Sequence, residues 1–344
     1  MFKPTVRTRI LVPGDEAPSE DFYAERSGSE ARVPLNMTAF RQAERKYKGS
    51  NIDLSDAYDF TKDTSELKED VKCLGTWKCS DGVERPVYGI EGVEGFFFVP
   101  GAMTHDEQLH FMEKSFTEYP KKPNATNLDA HFKVPSEGLF SYFKEGKECK
   151  IYNKAKDVEE TISAISILEE KFIRKTRWIT LGYQYNWTTK EYNFDDKDFN
   201  AIFPKDLGEW TRSAAEKLGF GTDYKPEAGI VNFYQPDDTL TGHVDRSEKN
   251  MTAPLISMSI GLSAIFLLGG LSREDSPVRA IIVRSGDLSI LSGPSRLLFH
   301  GVPKILPEQA IEYPGTFNEE NSDIEHCIKL MKNCRININV RQVI

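Results

Sequence analysis

The last third of the chain alternates between short apolar runs and polar breakers. Beyond about residue 225, Gly, Pro, Asp and Asn separate β-type runs that include GIVNFY, PLISMSIG, AIFLLGG, RAIIVRSGDLSILSG, RLLFHGV and RININVRQVI. About seven or eight such runs within roughly 120 residues are typical of a β-sandwich or jelly roll. The pattern therefore predicts a β-rich C-terminal core.

Ahead of this core, the apolar spacing favours helices. A short amphipathic segment covers residues 37–47, and the capping-box sequence Thr104–Glu107 begins a helix whose apolar positions follow at helical spacing. The same spacing predicts a longer helix over residues 157–174. Asp206 and Gly219 are suited to begin and end another helix. Helices followed by strands are expected of an α+β fold.

This order divides the chain into three predicted regions. Residues 1–85 are expected to form a partly mobile N-terminal extension, because residues 13–34 are polar and breaker-rich and an acidic, loop-like stretch continues to about residue 85. Residues 86–224 would form a helical support, and residues 225–344 would form the β core.

Charge and cysteine content narrow the possible partners. The 344-residue chain carries a net charge of −9, which disfavours indiscriminate coating of polyanions but permits a local basic groove, since charges act over about 8–10 Å. Five cysteines without a disulfide or zinc spacing favour an intracellular protein, and leave nucleus, cytoplasm and mitochondrion open. No apolar run approaches the roughly 20 residues that span a bilayer, so no membrane partner is expected, and no obligate protein partner is inferred.

A candidate metal site begins with His243 and Asp245. The two residues stand at positions i and i+2 of a predicted strand, so their side chains point to one face. His300 follows in a later apolar run. Two imidazoles and a carboxylate bind one face of Fe(II) and leave positions open for oxygen activation. The alternative for His243 and Asp245 is chance, because an H-x-D tripeptide is common in proteins. The alternative for His300 is an ordinary core histidine in an apolar strand.

The final run alternates strictly between polar and apolar residues. One face carries Arg335, Asn337, Asn339 and Arg341, and the other carries Ile336, Ile338 and Val340. If the polar face lined the interior, its arginines would require anions, and a dicarboxylate would suit their planar forks. An exposed edge strand is the alternative. Asn232 and Tyr234 have the same spacing one strand before the H-x-D, and either bind the same dicarboxylate or occupy a half-buried strand face.

Taken in order, these residues form the pattern N-x-Y, H-x-D, H and R-x-N-x-x-x-R. This pattern resembles the AlkB family of nucleic-acid dealkylases, and the segments RWITLGYQYNW, HVDRSE and SGDLSILSGPSRLLFHGVP look most like its animal homologue-one branch. The resemblance covers roughly residues 90–344. It implies a double-stranded β-helix, which is a form of jelly roll, with N-terminal helices and a nucleotide-recognition lid.

The resemblance also implies roles for single residues. Three Fe(II) ligands are implied, namely His243, Asp245 and His300. Five residues are implied to bind the co-substrate 2-oxoglutarate, namely Asn232, Tyr234, Arg335, Asn337 and Arg341. Within these sets, Arg335 would pair with the distal carboxylate, and Asp245 and Arg341 would serve catalysis.

A segment before the β core resembles the family's lid over the target base. Its four implied substrate-binding residues are Tyr183, Gln184, Tyr185 and Asn186. Trp178 and Trp187 lie nearby in the sequence, and aromatic rings suit a flipped base that needs a stacking surface. A strand packed by aromatic residues is the alternative. Ser247 stands where some family members carry an acidic residue that helps to read an alkylated adenine, so the base stays undetermined.

The implied activity is oxidative demethylation. Fe(II), 2-oxoglutarate and O2 would together remove N-methyl groups from nucleic-acid bases as formaldehyde, and transfer RNA is favoured over DNA as the partner. Basic residues within 144–150 and 171–177 could contact phosphates, although solvated helix faces explain such runs more often. Two other functions stay open: a protein or small-molecule hydroxylase on the same fold, and a non-catalytic binding module on a jelly roll.

Overall fold

The computed structural model describes residues 37–49, 51–164, 174–194, 202–307 and 322–344. Residues from Thr38 to Ile344 belong to one compact unit. Its helices are α1 (Ala39–Lys48), α2 (His105–Thr117), α3 (Phe140–Lys144), α4 (Lys205–Lys217) and α5 (Ser322–Met331). Short 3-10 helices lie at Thr64–Glu66, Asn127–Ala130 and Gly293–Leu297.

The strands fall into two groups along the chain. The first ten are β1 (Val71–Lys78), β2 (Glu84–Ile90), β3 (Phe96–Val99), β4 (Ala125–Thr126), β5 (Phe132–Lys133), β6 (Cys149–Asn153), β7 (Val158–Ile162), β8 (Trp178–Gly182), β9 (Tyr185–Asn186) and β10 (Glu191–Tyr192). The last eight are β11 (Ala228–Tyr234), β12 (Leu240–His243), β13 (Leu255–Gly261), β14 (Ser263–Leu268), β15 (Arg279–Val283), β16 (Leu288–Leu291), β17 (His300–Leu306) and β18 (Arg335–Arg341).

Two antiparallel sheets build the core. A nine-stranded sheet has the order β1-β2-β3-β16-β13-β18-β11-β8-β4, and a four-stranded sheet has the order β12-β17-β14-β15. Apolar residues of both sheets pack against each other, as Tyr234 of the larger sheet does with Ala264 and Ile305 of the smaller one. The predicted α+β fold with a double-stranded β-helix core is confirmed.

Strand β18 lies in the middle of the larger sheet. It pairs with β11 on one side and with β13 on the other, so the edge-strand alternative is wrong. Its apolar residues, Ile336, Ile338 and Val340, are fully buried in the main core. That core also contains Met112 and Phe116 of α2, and the opposite face of β18 therefore directs its polar residues toward the space between the sheets.

Two helix predictions are confirmed with small shifts at their ends. Thr104 and Glu107 form the predicted capping box, with the Thr104 N–H donating to Glu107 Oε2 at 2.8 Å. Helix α4 begins at Lys205, one residue before the predicted Asp206, and ends before Gly219, which has a φ of +82°. Helix α1 occupies the amphipathic segment predicted at residues 37–47.

The predicted helix over residues 157–174 is wrong in its first turn. Val158–Ile162 forms β7, which pairs with β6 in a three-stranded sheet of order β5-β6-β7. Val158 and Ile162 stand four residues apart, and this spacing puts two side chains on one face of a helix and also on one face of a strand. Residues 165–173 lie outside the described residues.

The loop predicted up to residue 85 is also wrong in part. Strands β1 and β2 form a hairpin that extends the larger sheet. Its apolar residues Val71, Cys73 and Trp77 stand at even spacing, but Leu74 and the bulge between Cys73 and Gly75 interrupt the alternation by which the strand could have been found. The larger sheet therefore takes strands from all three of the predicted regions.

No helix in the described parts of the chain is long and apolar enough to cross a membrane.

Candidate active site

The three predicted metal ligands meet where strands β12 and β17 of the smaller sheet pair at His243 and His300. His243 ends β12, His300 begins β17, and the two residues are cross-strand partners with ring centroids 4.5 Å apart. Asp245 lies two residues beyond β12, with its Oδ1 3.6 Å from His243 Nε2 and its Oδ2 4.0 Å from His300 Nε2. One ligand atom from each residue lies within 4.8 Å of the others, a separation that suits one shared ion.

Backbone carbonyl groups fix the orientation of both imidazoles. Nδ1 of His243 lies 3.0 Å from the carbonyl oxygen of Thr241, and Nδ1 of His300 lies 3.0 Å from that of Leu298. A proton on each Nδ1 satisfies these contacts and leaves the Nε2 lone pairs directed toward Asp245. Burial, together with His243, lowers the pKa of His300 to about 4, so this ring is neutral at physiological pH.

Asp245 is the anionic member of the set. Burial alone would raise its pKa, but the nearby Arg341 guanidinium holds the pKa well below its usual range. Arg341 Nη1 lies 3.3 Å from Asp245 Oδ2. Two neutral imidazoles and an ionised carboxylate are the donor set of non-haem Fe(II) oxygenases, so these residues fit Fe(II).

Arg335 supplies a buried cation between the sheets. It is 3% exposed, and its Nη1 and Nη2 donate to Leu262 O at 3.1 Å and Ser259 Oγ at 2.9 Å. Burial lowers its pKa to about 10, which keeps the guanidinium charged at neutral pH. Its buried Nε–H has no hydrogen-bond partner among the described residues. A buried charge with an unused donor requires an anion, and a carboxylate of 2-oxoglutarate fits it.

Tyr234 lies directly beside Arg335. The two residues are cross-strand partners on β11 and β18. Burial raises the pKa of Tyr234 to about 12, so its hydroxyl group stays protonated and can donate to a carboxylate.

Asn232 and Asn337 form the next polar cross-strand pair toward the middle of the sheet. Asn337 Nδ2 donates to Ser257 Oγ at 2.8 Å, and its Oδ1 accepts from Asn339 Nδ2 at 3.0 Å. The Asn337 amide is therefore bonded at both ends within the sheet. The co-substrate contacts proposed for Asn232 and Asn337 stay predictions.

Arg341 belongs to a buried ionic network that the sequence did not reveal. Its Nη1 lies 2.9 Å from Glu248 Oε1, and Glu248 Oε2 lies 3.2 Å from Nη2 of Arg296, which is 1% exposed. Although burial opposes it, Tyr192, Asp245 and Glu248 raise the pKa of Arg341 above its usual value. Glu248 and Arg296 lie within the family-like segments HVDRSE and SGPSRLLFH, but nothing in the sequence shows that their charges are buried.

The lid residues are only in part directed toward this site. Tyr185 is the member closest to it by contact, with its hydroxyl oxygen 3.2 Å from Ser247 Oγ, two residues after Asp245. Its ring contacts those of Trp187 and Tyr192, at centroid distances of 5.0 and 5.1 Å. Trp187 in turn lies 4.8 Å from Trp178 and is 44% exposed, so the rings next to Tyr185 form a partly exposed aromatic surface.

The other lid residues mainly stabilise their own segment. Gln184 is buried, accepts from the Thr180 hydroxyl group and donates to the Gly182 carbonyl at 3.0 Å. Asn186 Oδ1 accepts from the Thr188 N–H at 2.9 Å, which shapes the turn between β9 and β10. Tyr183 packs edge-on against Phe194 at 5.3 Å. Their contacts with a base stay predictions.

The basic residues near the lid are largely neutralised within the protein. Four of them pair with carboxylates, as Lys144–Asp323, Lys147–Glu145, Lys150–Glu159 and Arg177–Asp238. Lys171 lies outside the described residues. These ion pairs reduce the positive charge that segments 144–150 and 171–177 offer to phosphates.

Comparison with known proteins agrees with this geometry. The family model described as the 2OG-Fe(II) oxygenase superfamily matches residues 95–341. The Homo sapiens protein named nucleic acid dioxygenase ALKBH1 is 38% identical over 273 residues, which cover 75% of this chain and 66% of that protein. The Arabidopsis thaliana protein named DNA N(6)-methyladenine demethylase ALKBH1A is 34% identical, with coverage of 90% and 96%. The Schizosaccharomyces pombe protein named tRNA demethylase abh1 is 34% identical, with coverage of 75% and 82%.

Proposed function

Because this chain belongs to the AlkB family within the 2OG-Fe(II) oxygenase superfamily, we propose that it removes N-methyl groups from nucleic-acid bases, with transfer RNA preferred over DNA. It is an Fe(II)- and 2-oxoglutarate-dependent dioxygenase. The observation that carries the proposal is the meeting of His243, Asp245 and His300 beside the buried Arg341. A second buried arginine, Arg335, lies on the same face of β18, and within the described structure the Nε–H of each arginine has no partner.

The residues present fit both the metal and the co-substrate. His243, Asp245 and His300 would hold Fe(II), while Arg335 and Tyr234 would hold the distal carboxylate of 2-oxoglutarate. When bound, Fe(II), 2-oxoglutarate and O2 would supply the oxidation. One oxygen atom would enter succinate as CO2 is released, and the other would enter the methyl C–H bond. The hydroxymethyl group on nitrogen then leaves as formaldehyde.

The protein's own part is to orient the reactants and to exclude water. Arg341 keeps Asp245 ionised, and the carbonyl groups of Thr241 and Leu298 aim the imidazoles. Tyr234 is buried in an apolar cluster with Leu262, Ala264, Val302 and Ile305. In such surroundings, charge–charge contacts are stronger than they are in water.

The lid supports a base as the target. Tyr185 contacts Ser247, two residues after Asp245, and its ring packs against that of Trp187. These rings would offer faces to a base that has left its stack. Loops of RNA present bases that are already unstacked, so they require less energy to enter such a site than bases of duplex DNA. This difference, together with the name of the fission-yeast relative, supports transfer RNA as the preferred substrate.

Matched substrates test the proposal. N-methylated transfer RNA and DNA oligonucleotides of the same sequence would be incubated with the enzyme, Fe(II) and 2-oxoglutarate, while succinate and the nucleosides are quantified by mass spectrometry. We expect loss of the methyl group and a rise in succinate with the transfer RNA, less of both with DNA, and neither with the Asp245→Ala variant. Equal activity on DNA would contradict the preference, and succinate release that ignores both nucleic acids would favour a protein or small-molecule hydroxylase.

We also propose an intracellular location. All five cysteines are free thiols, and four of them are buried. Burial raises the pKa of Cys149 to about 11 and that of Cys334 to about 12, which keeps both thiols protonated and unreactive. Free thiols in this number suit a reducing compartment.

A further inference from the structure

We propose that helix α1 is part of the metal site, because Glu44 and Arg273 hold the backbone of Gly242 and thereby aim the metal ligand His243. Gly242 directly precedes His243 on β12. Both new residues lie far from the metal in the sequence, and neither belongs to the ordered motif that marks the site.

The backbone of Gly242 needs these contacts because the pairing of β12 with β17 is irregular at this point. Leu240 pairs with Val302 and His243 pairs with His300, so three residue steps on β12 face two steps on β17. The extra residue makes a β-bulge, which interrupts the ladder and turns the following side chain. Here the bulge brings His243 opposite His300, and it leaves the intervening backbone groups in need of other partners.

Side chains from two separate elements supply those partners. The Gly242 N–H donates to Glu44 Oε1 of α1 at 2.8 Å, and the Gly242 carbonyl accepts from Arg273 Nη2 at 2.9 Å. Glu44 is 3% exposed, and its Oε2 accepts from Arg41 Nη1 at 2.8 Å. Arg273 is tied back to the same helix, because its carbonyl oxygen accepts from the Phe40 N–H at 2.9 Å.

Close packing brings the helix within reach of the bulge. A Cβ atom on Gly242 would lie 2.3 Å from the Phe40 ring, and one on Gly269 would lie 2.8 Å from it. Only glycine therefore lets α1 approach β12 closely enough for the Glu44 carboxylate to reach a backbone N–H. The contact is buried, so water cannot easily replace it, and its loss would leave a backbone donor without a partner.

Glu44 and Arg273 are thus positioning residues, which act on the metal through the conformation of the bulge. His243 Nδ1 is held by the carbonyl of Thr241, which belongs to the same bulge. A bulge that relaxes would therefore change both the direction of the ring and the hydrogen bond that sets its tautomer. The inference rests on the iron site alone, so it can fail or hold whatever the nucleic-acid substrate is.

The test compares Glu44→Gln with Glu44→Met in the full-length protein. The glutamine carbonyl can still accept from Gly242, whereas methionine keeps the bulk of the side chain but cannot accept. We expect Glu44→Met to weaken Mn(II) binding, followed by electron paramagnetic resonance without oxygen, by about 10- to 100-fold, as changes around metal-ligating histidines typically do. Glu44→Gln should stay close to wild type, as should Arg45→Met on the exposed side of the same helix.

Hydrogen exchange of the metal-free protein gives a second readout. We expect the amides of residues 240–246 to exchange faster in Glu44→Met than in Glu44→Gln, with strands β13 and β18 unchanged. Arg273→Met removes the second contact from an exposed loop and should weaken Mn(II) binding in the same direction, which keeps the test decisive if Glu44→Met does not fold. Wild-type Mn(II) affinity in Arg273→Met and in folded Glu44→Met, or equal losses in Glu44→Gln and Glu44→Met, would overturn the proposal.

Discussion

We call the polar face of β18, which carries Arg335 and Arg341, the floor of the site, and residues 183–187 the lid. The two regions differ in how their polar side chains are bonded. On the floor, Arg335 and Arg341 are almost completely buried on a central strand, yet the structure as described leaves the Nε–H of each without a partner. In the lid, the polar atoms of Gln184 and Asn186 are bonded within their own segment. Unused buried donors are tolerated where a ligand completes them, which supports the proposed 2-oxoglutarate site on the floor. The hairpin β9–β10 also has such a group, the buried Tyr192 hydroxyl, so the contrast concerns Gln184 and Asn186.

The two regions also differ in how firmly they are held. Strand β18 has a neighbour on each side, and it packs its apolar face into the main core. Strands β9 and β10 form an isolated two-stranded sheet, and Trp187 in their connection is 44% exposed. A two-stranded hairpin is only marginally stable by itself. On the proposed function, the co-substrate would therefore bind to the more firmly held region and the base to the less firmly held one.

The largest effect is expected at the junction of these regions. Asp245→Ala removes the anionic ligand and leaves Arg341 without a carboxylate that lies 3.3 Å away, so Fe(II) binding and turnover should both be lost. Succinate release with and without nucleic acid measures the outcome. Asp237→Ala, an exposed aspartate on the turn before β12, makes the same charge change and should behave as wild type. Continued decarboxylation in Asp245→Ala would refute the metal assignment.

A change confined to the floor should separate co-substrate binding from substrate binding. In Arg335→Met, the distal carboxylate of 2-oxoglutarate loses its buried cation, which costs about 2 kcal/mol or more and raises KM for 2-oxoglutarate by roughly 30-fold or more. Arg335→Lys keeps the charge but loses the fork, so its KM should fall between the two. Steady-state kinetics at fixed RNA concentration measure this change. An unchanged KM in Arg335→Met would mean that the co-substrate binds elsewhere.

The sequence predicted a feature well where that feature leaves a regular spacing of residues along the chain, and poorly where it does not. The spacing of two correctly indicated that His243 and Asp245 share a site, although β12 ends at His243 and Asp245 follows it outside the strand. Strict alternation is enough to separate the two faces of β18. Buried ion pairs such as Glu248–Arg296 leave no such periodic signal, because a charged residue is normally expected at the surface. Strand β1 escaped detection because Leu74 and the bulge between Cys73 and Gly75 interrupt its apolar alternation.

The smallest effect is expected in the lid, where a substitution should alter nucleic-acid binding alone. Trp187→Ala removes an exposed ring that lies 4.8 Å from Trp178, and loss of one base-stacking surface costs about 1–3 kcal/mol. We expect weaker binding of methylated RNA by fluorescence anisotropy, while 2-oxoglutarate affinity stays at the wild-type value. Leu74→Ala, an equally exposed apolar residue on the distant hairpin β1–β2, serves as the control. If Trp187→Ala changed 2-oxoglutarate affinity as much as RNA affinity, the lid and the floor would be one coupled unit, and the contrast between them would not hold.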